Sequence, residues 1–343
     1  MIEKHTAFTS SPAVGAVDRL MEPLDDYLAF RRSIGFKYKS DGEFLFLFVR
    51  WLHGVGVGTY EHADHLIANR WVMSRRPEVA PKTFNREISN IVHFFNYLID
   101  SEATHFNPFA SVLPVREPKY MPFVFTIEQL FFFFDAIHGA ATRSTVTRAQ
   151  NYYPVFHTIY ALGLRGSELC NLTLDDVDLD RNTILIRETK FFKDRLLPMN
   201  TRTHALLSEY LEMRKKRSFA SKEHRQYFFI THAGRKFSRN VLTSTFPRYA
   251  AQARITQEKR THPGVVFGTP RLHSLRHAFA VHRLLKWYRD GVEDINSKLP
   301  LLSTFMGHSN FTYTQVYLNI TEEILKLASE KFEKKFDPPN LDL

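Results

Sequence analysis

Cysteine is almost missing from this 343-residue sequence, with Cys170 the only one. A lone thiol cannot build a disulfide framework, so a reducing compartment is predicted. Long apolar runs are missing too. The longest, Phe44–Val49 and Phe131–Phe134, fall far short of the roughly 18 residues that a membrane span needs. The opening residues Met1-Ile2-Glu3-Lys4-His5 lack a hydrophobic signal core, which predicts a soluble, cytoplasmic protein. There is no Walker-type phosphate loop, no acidic cluster suited to a metal, no internal repeat and no low-complexity tract.

What is present is a balanced globular composition, 44% hydrophobic and 24% charged, long enough for two domains. The formal net charge is +10, and it is unevenly spread. Residues 1–122 hold 14 basic and 14 acidic side chains, leaving 32 basic and 22 acidic side chains in residues 123–343. The whole excess therefore lies in the C-terminal two thirds. Such a field attracts polyanions, nucleic acid first and acidic membrane surface second, although a merely basic enzyme has the same balance.

Residues 1–17 are small, polar and weakly patterned, and read as a flexible arm. From Val17 to about Ser101 the apolar spacing is helical. Leu20, Leu24, Tyr27 and Leu28 step at threes and fours. A second helix is predicted over Ser40–His53, ending in Gly54-Val55-Gly56-Val57-Gly58, and a third over His62–Arg75. Pro81 suits the first turn of a fourth, which carries Phe84, Ile88, Ile91, Val92, Phe95 and Leu98 on one face. Those rings read as core rather than as a base-stacking platform. Pro108, Pro114, Pro118 and Pro122 then predict an extended linker over 107–123. A new helix begins at Thr126. Beyond it the chain reads as helical except for one β-rich insert. There, strands Thr183–Arg187 and Arg195–Met199 flank a turn that carries Lys190 and Lys193.

Four clusters carry possible chemistry. In Gly163-Leu164-Arg165-Gly166-Ser167-Glu168-Leu169, an arginine at a helix start offers donors for a phosphate oxygen and Glu168 can orient it; a surface ion pair explains Arg-x-x-Glu equally well. Lys190 or Lys193 on the hairpin turn can reach a groove and protonate a leaving oxygen, or simply be solvated. His273-Ser274-Leu275-Arg276-His277 opens a helix with His273 and Arg276 facing one way. His273 and His277 have the i, i+4 spacing of a zinc pair, but no Glu follows the first histidine, so no metal is expected. Last, Gly307-His308-Ser309 precedes a short helix with Tyr313 and Tyr317, residues that usually pack as half-buried aromatics.

In this order and spacing the clusters resemble the tyrosine recombinase/integrase family. The resemblance spans residues 124–320 by motif and 18–105 by architecture alone. It implies a mainly α fold with a small β-sheet (α+β). A helical, SAM-like core-binding domain over 18–106 would precede a catalytic domain over 124–320 and a C-terminal helix and tail over 321–343. It maps the family's active site onto Arg165, Lys190, His273, Arg276, His308 and Tyr317, with Glu168, Lys193, Arg195 and His277 as supporting or DNA-contacting candidates. Tyr317 follows His308 by nine residues, the family's interval, so it is preferred over Tyr313. Lys190 is preferred over Lys193.

The chemistry so implied needs no cofactor. Arg165 and Arg276 bracket the phosphate, His308 adds a hydrogen bond, Tyr317 attacks, His273 is the family's candidate base and Lys190 its candidate acid. The implied partners are double-stranded DNA recombination sites and further copies of the chain, a dimer per site and a tetramer on DNA, with or without related recombinases and with no membrane. Residence in the nucleoid follows. A mobile-element integrase is favoured over a housekeeping resolvase. A type IB topoisomerase shares the chemistry, and a non-catalytic DNA-binding protein shares only the charge. For residues 1–122 to touch DNA, Arg31, Arg32, Lys37, Lys39, Arg75, Arg76, Lys82 and Arg86 must gather on one face.

Overall fold

The structure, a computed structural model, describes residues 14–139, 146–187, 194–258, 261–262, 264–308, 310 and 312–321. The chain divides between Pro118 and Lys119 into two units, each with its own core.

The first unit is built from α1 (Val14–Ser33), α2 (Lys39–Gly54), α3 (His65–Arg75) and α4 (Pro81–Asp100). Asp64 caps α3, its Oδ1 accepting the N–H groups of Leu66 and Ile67, both at 2.9 Å, which satisfies two donors that have no partner within the helix. Pro81 stands in the first turn of α4, where a missing N–H costs nothing. Phe84, Ile88, Ile91, Phe95 and Leu98 are buried as their spacing requires. They meet Tyr27, Phe48 and Trp71 in an aromatic core, with Phe48 edge-on to Trp71 at 5.0 Å between ring centres. The α4 rings are thus committed to packing.

Of the eight basic residues singled out for this half, Arg32, Lys37, Lys39, Arg76, Lys82 and Arg86 are exposed. Arg75 instead turns onto Glu87, donating from Nε and Nη2 at 2.8 and 2.7 Å. Arg86 pairs with Asp41 at 3.4 Å, and Arg31 lies over the Phe36 ring at 4.3 Å. Residues 107–118 contain no helix, yet they are tied to this unit. Asn85 exchanges two hydrogen bonds with the Val115 backbone, at 2.7 and 2.8 Å, and Phe109 is fully buried.

The second unit opens with β1 (Lys119–Met121), followed by α5 (Ile127–Gly139), α6 (Val146–Leu162) and α7 (Gly166–Asn171). Thr126 and Gln129 each accept the other's backbone N–H at 3.0 Å, a reciprocal cap that fixes where α5 starts. Strands β2 (Val177–Asp178), β3 (Thr183–Ile186) and β4 (Arg195–Pro198) form an antiparallel sheet, with Ile184 opposite Leu197 and Ile186 opposite Arg195. Ile184, Ile186 and Leu197 point into the core, the period-2 burial of a one-sided sheet. After α8 (Thr201–Lys215) and α9 (Arg239–Gln252) come β5 (Thr261–His262) and β6 (Val265–Phe267). These complete a second small sheet in which β6 pairs in parallel with β1. Sequence pattern alone does not predict this sheet, because parallel partners far apart in the chain leave no local signal.

α10 (Leu272–Arg289), α11 (Leu299–Met306) and a last helix over 312–321, called α12, close the unit. Phe279, Val281, Leu284, Leu299, Leu302, Met306, Tyr317 and Ile320 form their common core. Residues 1–13 of the predicted arm and 322–336 of the predicted tail helix lie outside the described residues. Among the described residues, no helix is long and apolar enough to cross a membrane.

Candidate active site

The C-terminal end of α11 organises the site. Its last turn closes on Gly307, whose φ of +65° lets the chain reverse, and His308 N–H returns to Ser303 O at 3.0 Å. That leaves the carbonyls of Phe305, Met306 and Gly307 pointing outward, and each receives a guanidinium from a different element. Arg195 of β4 donates Nε to Phe305 at 2.9 Å, Arg276 of α10 donates Nη2 to Met306 at 2.7 Å, and Arg165 donates Nη2 to Gly307 at 2.7 Å. Cationic donors suit this pole, where helix carbonyls lack partners and the helix dipole is negative.

One carboxylate ties the same three arginines together from the other side. Glu168 accepts Arg165 Nη1 at 2.6 Å and the Arg165 backbone N–H at 2.8 Å. It also takes both terminal nitrogens of Arg195, at 2.9 and 3.2 Å, and stands 3.9 Å from Arg276 Nη1. Burial works to raise its pKa, but the bonds and charge of Arg195, with Arg165 and Arg276, hold it below the ordinary carboxylate range. The Arg-x-x-Glu pair is therefore no surface ion pair.

Arg165 caps α7 two residues after Gly163 (φ +60°), where a Cβ on the glycine would sit 2.5 Å from the Phe279 ring. No side chain fits there, so glycine is required. The freed Gly163 carbonyl accepts Arg276 Nη1 at 2.6 Å. Arg276 is only 1% exposed. Burial, then Arg165, lowers its pKa to about 10, and it keeps its proton at neutral pH.

Tyr317 lies on α12 with its ring buried. Its hydroxyl stands 2.9 Å from His277 Nδ1, on the helix that also carries Arg276. Burial raises the phenol's pKa, against the pull of Arg276 and Arg165. His308 hydrogen-bonds through Nδ1 to Thr314 Oγ1 at 2.8 Å and stacks its ring near-parallel to Tyr317, 6.1 Å away. His273 is exposed, edge-on to His277 at 4.6 Å. Desolvation by the protein beneath it, then Arg276, Arg165 and Arg239, lowers its pKa to about 4. Burial foremost, followed by Arg276 among the neighbouring charges, holds His308 at about 3. All three imidazoles are neutral at physiological pH.

Arg165, His273, Arg276, His308 and Tyr317 are thus gathered in one place, with Glu168, Arg195 and His277 bound into the same network. Tyr313 is 60% exposed and faces outward from α12. Lys190 and Lys193 lie outside the described residues. Among the described residues, no group of three or more His, Cys, Asp or Glu side chains is placed to hold a metal ion. The three carbonyls that receive the arginines leave no trace in the sequence, since backbone groups carry no motif.

A mainly helical α+β unit that converges guanidinium groups, imidazoles and a tyrosine hydroxyl has the build of a tyrosine recombinase catalytic domain. Residues 133–323 match the phage integrase family, and the chain belongs to that family of DNA-cleaving and rejoining enzymes, which act in site-specific recombination. The chain is 29% identical over 319 residues to y4rB of Sinorhizobium fredii, a candidate integrase/recombinase by name, covering 92% of this chain and 98% of that one. It is 28% identical over 290 residues to the tyrosine recombinase XerC of Bacillus subtilis, covering 82% of this chain and 83% of that one. Its fold is similar to the Tn1549 transposon integrase in complex with circular intermediate DNA, with a TM-score of 0.64 at 21% identity over 87% of this chain and 94% of that one.

Proposed function

We propose that this recombinase cuts one DNA strand at a time with Tyr317, passing through a 3′-phosphotyrosyl intermediate. The observation that carries this reading is the Tyr317 hydroxyl itself, buried within one chain and 2.9 Å from His277, the residue next to the buried Arg276. A phosphodiester resists attack because its oxygens are already anionic, so the enzyme must neutralise charge before chemistry begins. Arg276, and Arg165 beside it, serve the non-bridging oxygens, since neither loses its charge at working pH. His308 contributes a further hydrogen bond. The phenol's proton leaves to a neutral imidazole as its oxygen bonds to phosphorus, and Lys190 protonates the departing 5′-oxygen. The ester retains the bond energy, so a 5′-hydroxyl from another strand reverses the step. Exchange in pairs then proceeds through a Holliday junction.

In this proposal, residues 18–106 are a DNA-binding domain and residues 124–320 the catalytic one. Four protomers act on two paired sites, two to a site, in the nucleoid. A mobile-element role is supported by the likeness to a transposon integrase fold. Incubation with a nicked suicide duplex tests the chemistry. The wild-type protein is expected to become covalently attached through Tyr317, and Tyr317→Phe to bind the duplex without an adduct. An adduct in that variant overturns the assignment, and relaxation of supercoils without joining two marked duplexes overturns the recombinase reading.

A further inference from the structure

The two histidines that open α10 face different surroundings. His273 is exposed, with Arg276, Arg165 and Arg239 near it. His277, one turn further on, reaches the Tyr317 hydroxyl with Nδ1 at 2.9 Å. The guanidinium charge of Arg276 also acts on this phenol, opposing the effect of burial. A phenol placed this way can donate to the imidazole along the path its proton would take, beside a cation that favours the phenolate.

On the reading given above, we propose that His277, and not His273, is the general base of strand cleavage. The Tyr317 O–H bond breaks and its proton passes to His277 Nδ1, with Nε2 already protonated. The Tyr317 oxygen bonds to phosphorus, the bond from phosphorus to the 5′-oxygen breaks, and that oxygen takes a proton from the lysine acid. The products are an imidazolium, a phosphotyrosyl ester and a free 5′-hydroxyl. When the strand is rejoined, the same imidazolium returns the proton to the leaving phenol.

The groups around His277 favour this role. His273 and Arg276 face it from its own helix, His308 from the turn after α11 and Tyr317 from α12. Burial foremost, then His273, Arg276 and His308, holds it at about 3, so it is neutral, as a proton acceptor must be. A bound phosphodiester places negative charge beside Arg165 and Arg276, offsetting the cationic field that weakens the imidazole and raising its basicity when attack occurs.

The test uses the full-length protein and single-turnover adduct formation on a suicide duplex, with His277→Ala, His277→Asn and His273→Ala. Asparagine places Oδ1 close to the position of Nδ1, so it keeps the hydrogen bond but cannot carry a proton. A parallel duplex has sulfur in place of the bridging 5′-oxygen, a leaving group that needs no acid. Both His277 variants are expected to bind DNA as the wild type does and to form adduct about 10²–10⁴-fold more slowly. They should stay slow on the sulfur duplex, and added imidazole should speed His277→Ala. A wild-type rate for His277→Asn, or a His277 deficit erased by sulfur, overturns this assignment alone. No adduct in the wild-type protein overturns the cleavage chemistry and this assignment with it.

Discussion

Glu168 grips Arg195 through both carboxylate oxygens, at 2.9 and 3.2 Å, with each side chain less than a tenth exposed. Because Arg165 and Arg276 lean on the same carboxylate, one negative charge serves three positive ones. The uncompensated remainder is what a phosphate would meet, in a setting where little water screens it.

Glu168→Gln keeps the shape of the side chain and removes its charge, leaving Arg195 buried without a counter-ion. Breaking a buried pair in this way costs about 3–5 kcal/mol, so the urea midpoint should fall sharply. Adding Arg195→Met should recover part of the loss. Urea curves for the two single variants and the double variant check this. A Glu168→Gln protein as stable as the wild type would show that Arg195 finds another partner.

Gly307→Ala strains the last turn of α11. Its φ is +65°, and the new Cβ would stand 2.6 Å from Arg195 Nη1, a group held at Glu168 and Phe305. Gly291 also has a positive φ, +73°, but its Cβ direction is open. Gly291→Ala should therefore show the backbone penalty alone, on the order of 1 kcal/mol, and Gly307→Ala a larger loss with slower adduct formation. Thermal melts of the pair separate strain from collision, and equal losses would discount the contact with Arg195.

His157 is buried against Phe134 and Tyr153, and its Nδ1 has no hydrogen-bond partner among the described residues. Burial, with Arg202 adding to it, lowers its pKa from the ordinary 6.5 to about 4. The unfolded chain therefore binds this proton more readily than the folded one. Stability is complete above pH 6.5 and declines as the pH falls towards 4, by roughly 1.4 kcal/mol per pH unit from this residue. His157→Leu should flatten the melting temperature between pH 6.5 and 4.5 relative to the wild type. Some slope should remain, because His273, His277 and His308 shift in the same direction. Parallel curves for the two proteins would contradict the assignment.

Local chemistry made much of this legible. Pro81 marked the start of α4, Thr126 with Gln129 the start of α5, and alternating Ile184 and Ile186 the strand β3. Each is a signal contained within one turn or one strand. The motif residues also announced themselves, because guanidinium and imidazole side chains at fixed spacing have few uses together. What the sequence withheld was long-range. The parallel pairing of Lys119–Met121 with Val265–Phe267 joins segments that carry no mutual mark. Likewise, the i, i+4 spacing of His273 and His277 could not say which ring would meet Tyr317, since that depends on how α12 packs on α10.

The three carbonyls at the end of α11 also bear on biosynthesis. Arg165, Arg195 and Arg276 are made early, yet the backbone oxygens that receive them, and Tyr317 itself, follow later in the chain. A nascent polypeptide still short of that turn has its cations but nowhere to seat them. The arginine cluster therefore cannot be seated until the turn after α11 has been made, and a chain interrupted before Phe305 leaves its guanidinium groups without these acceptors.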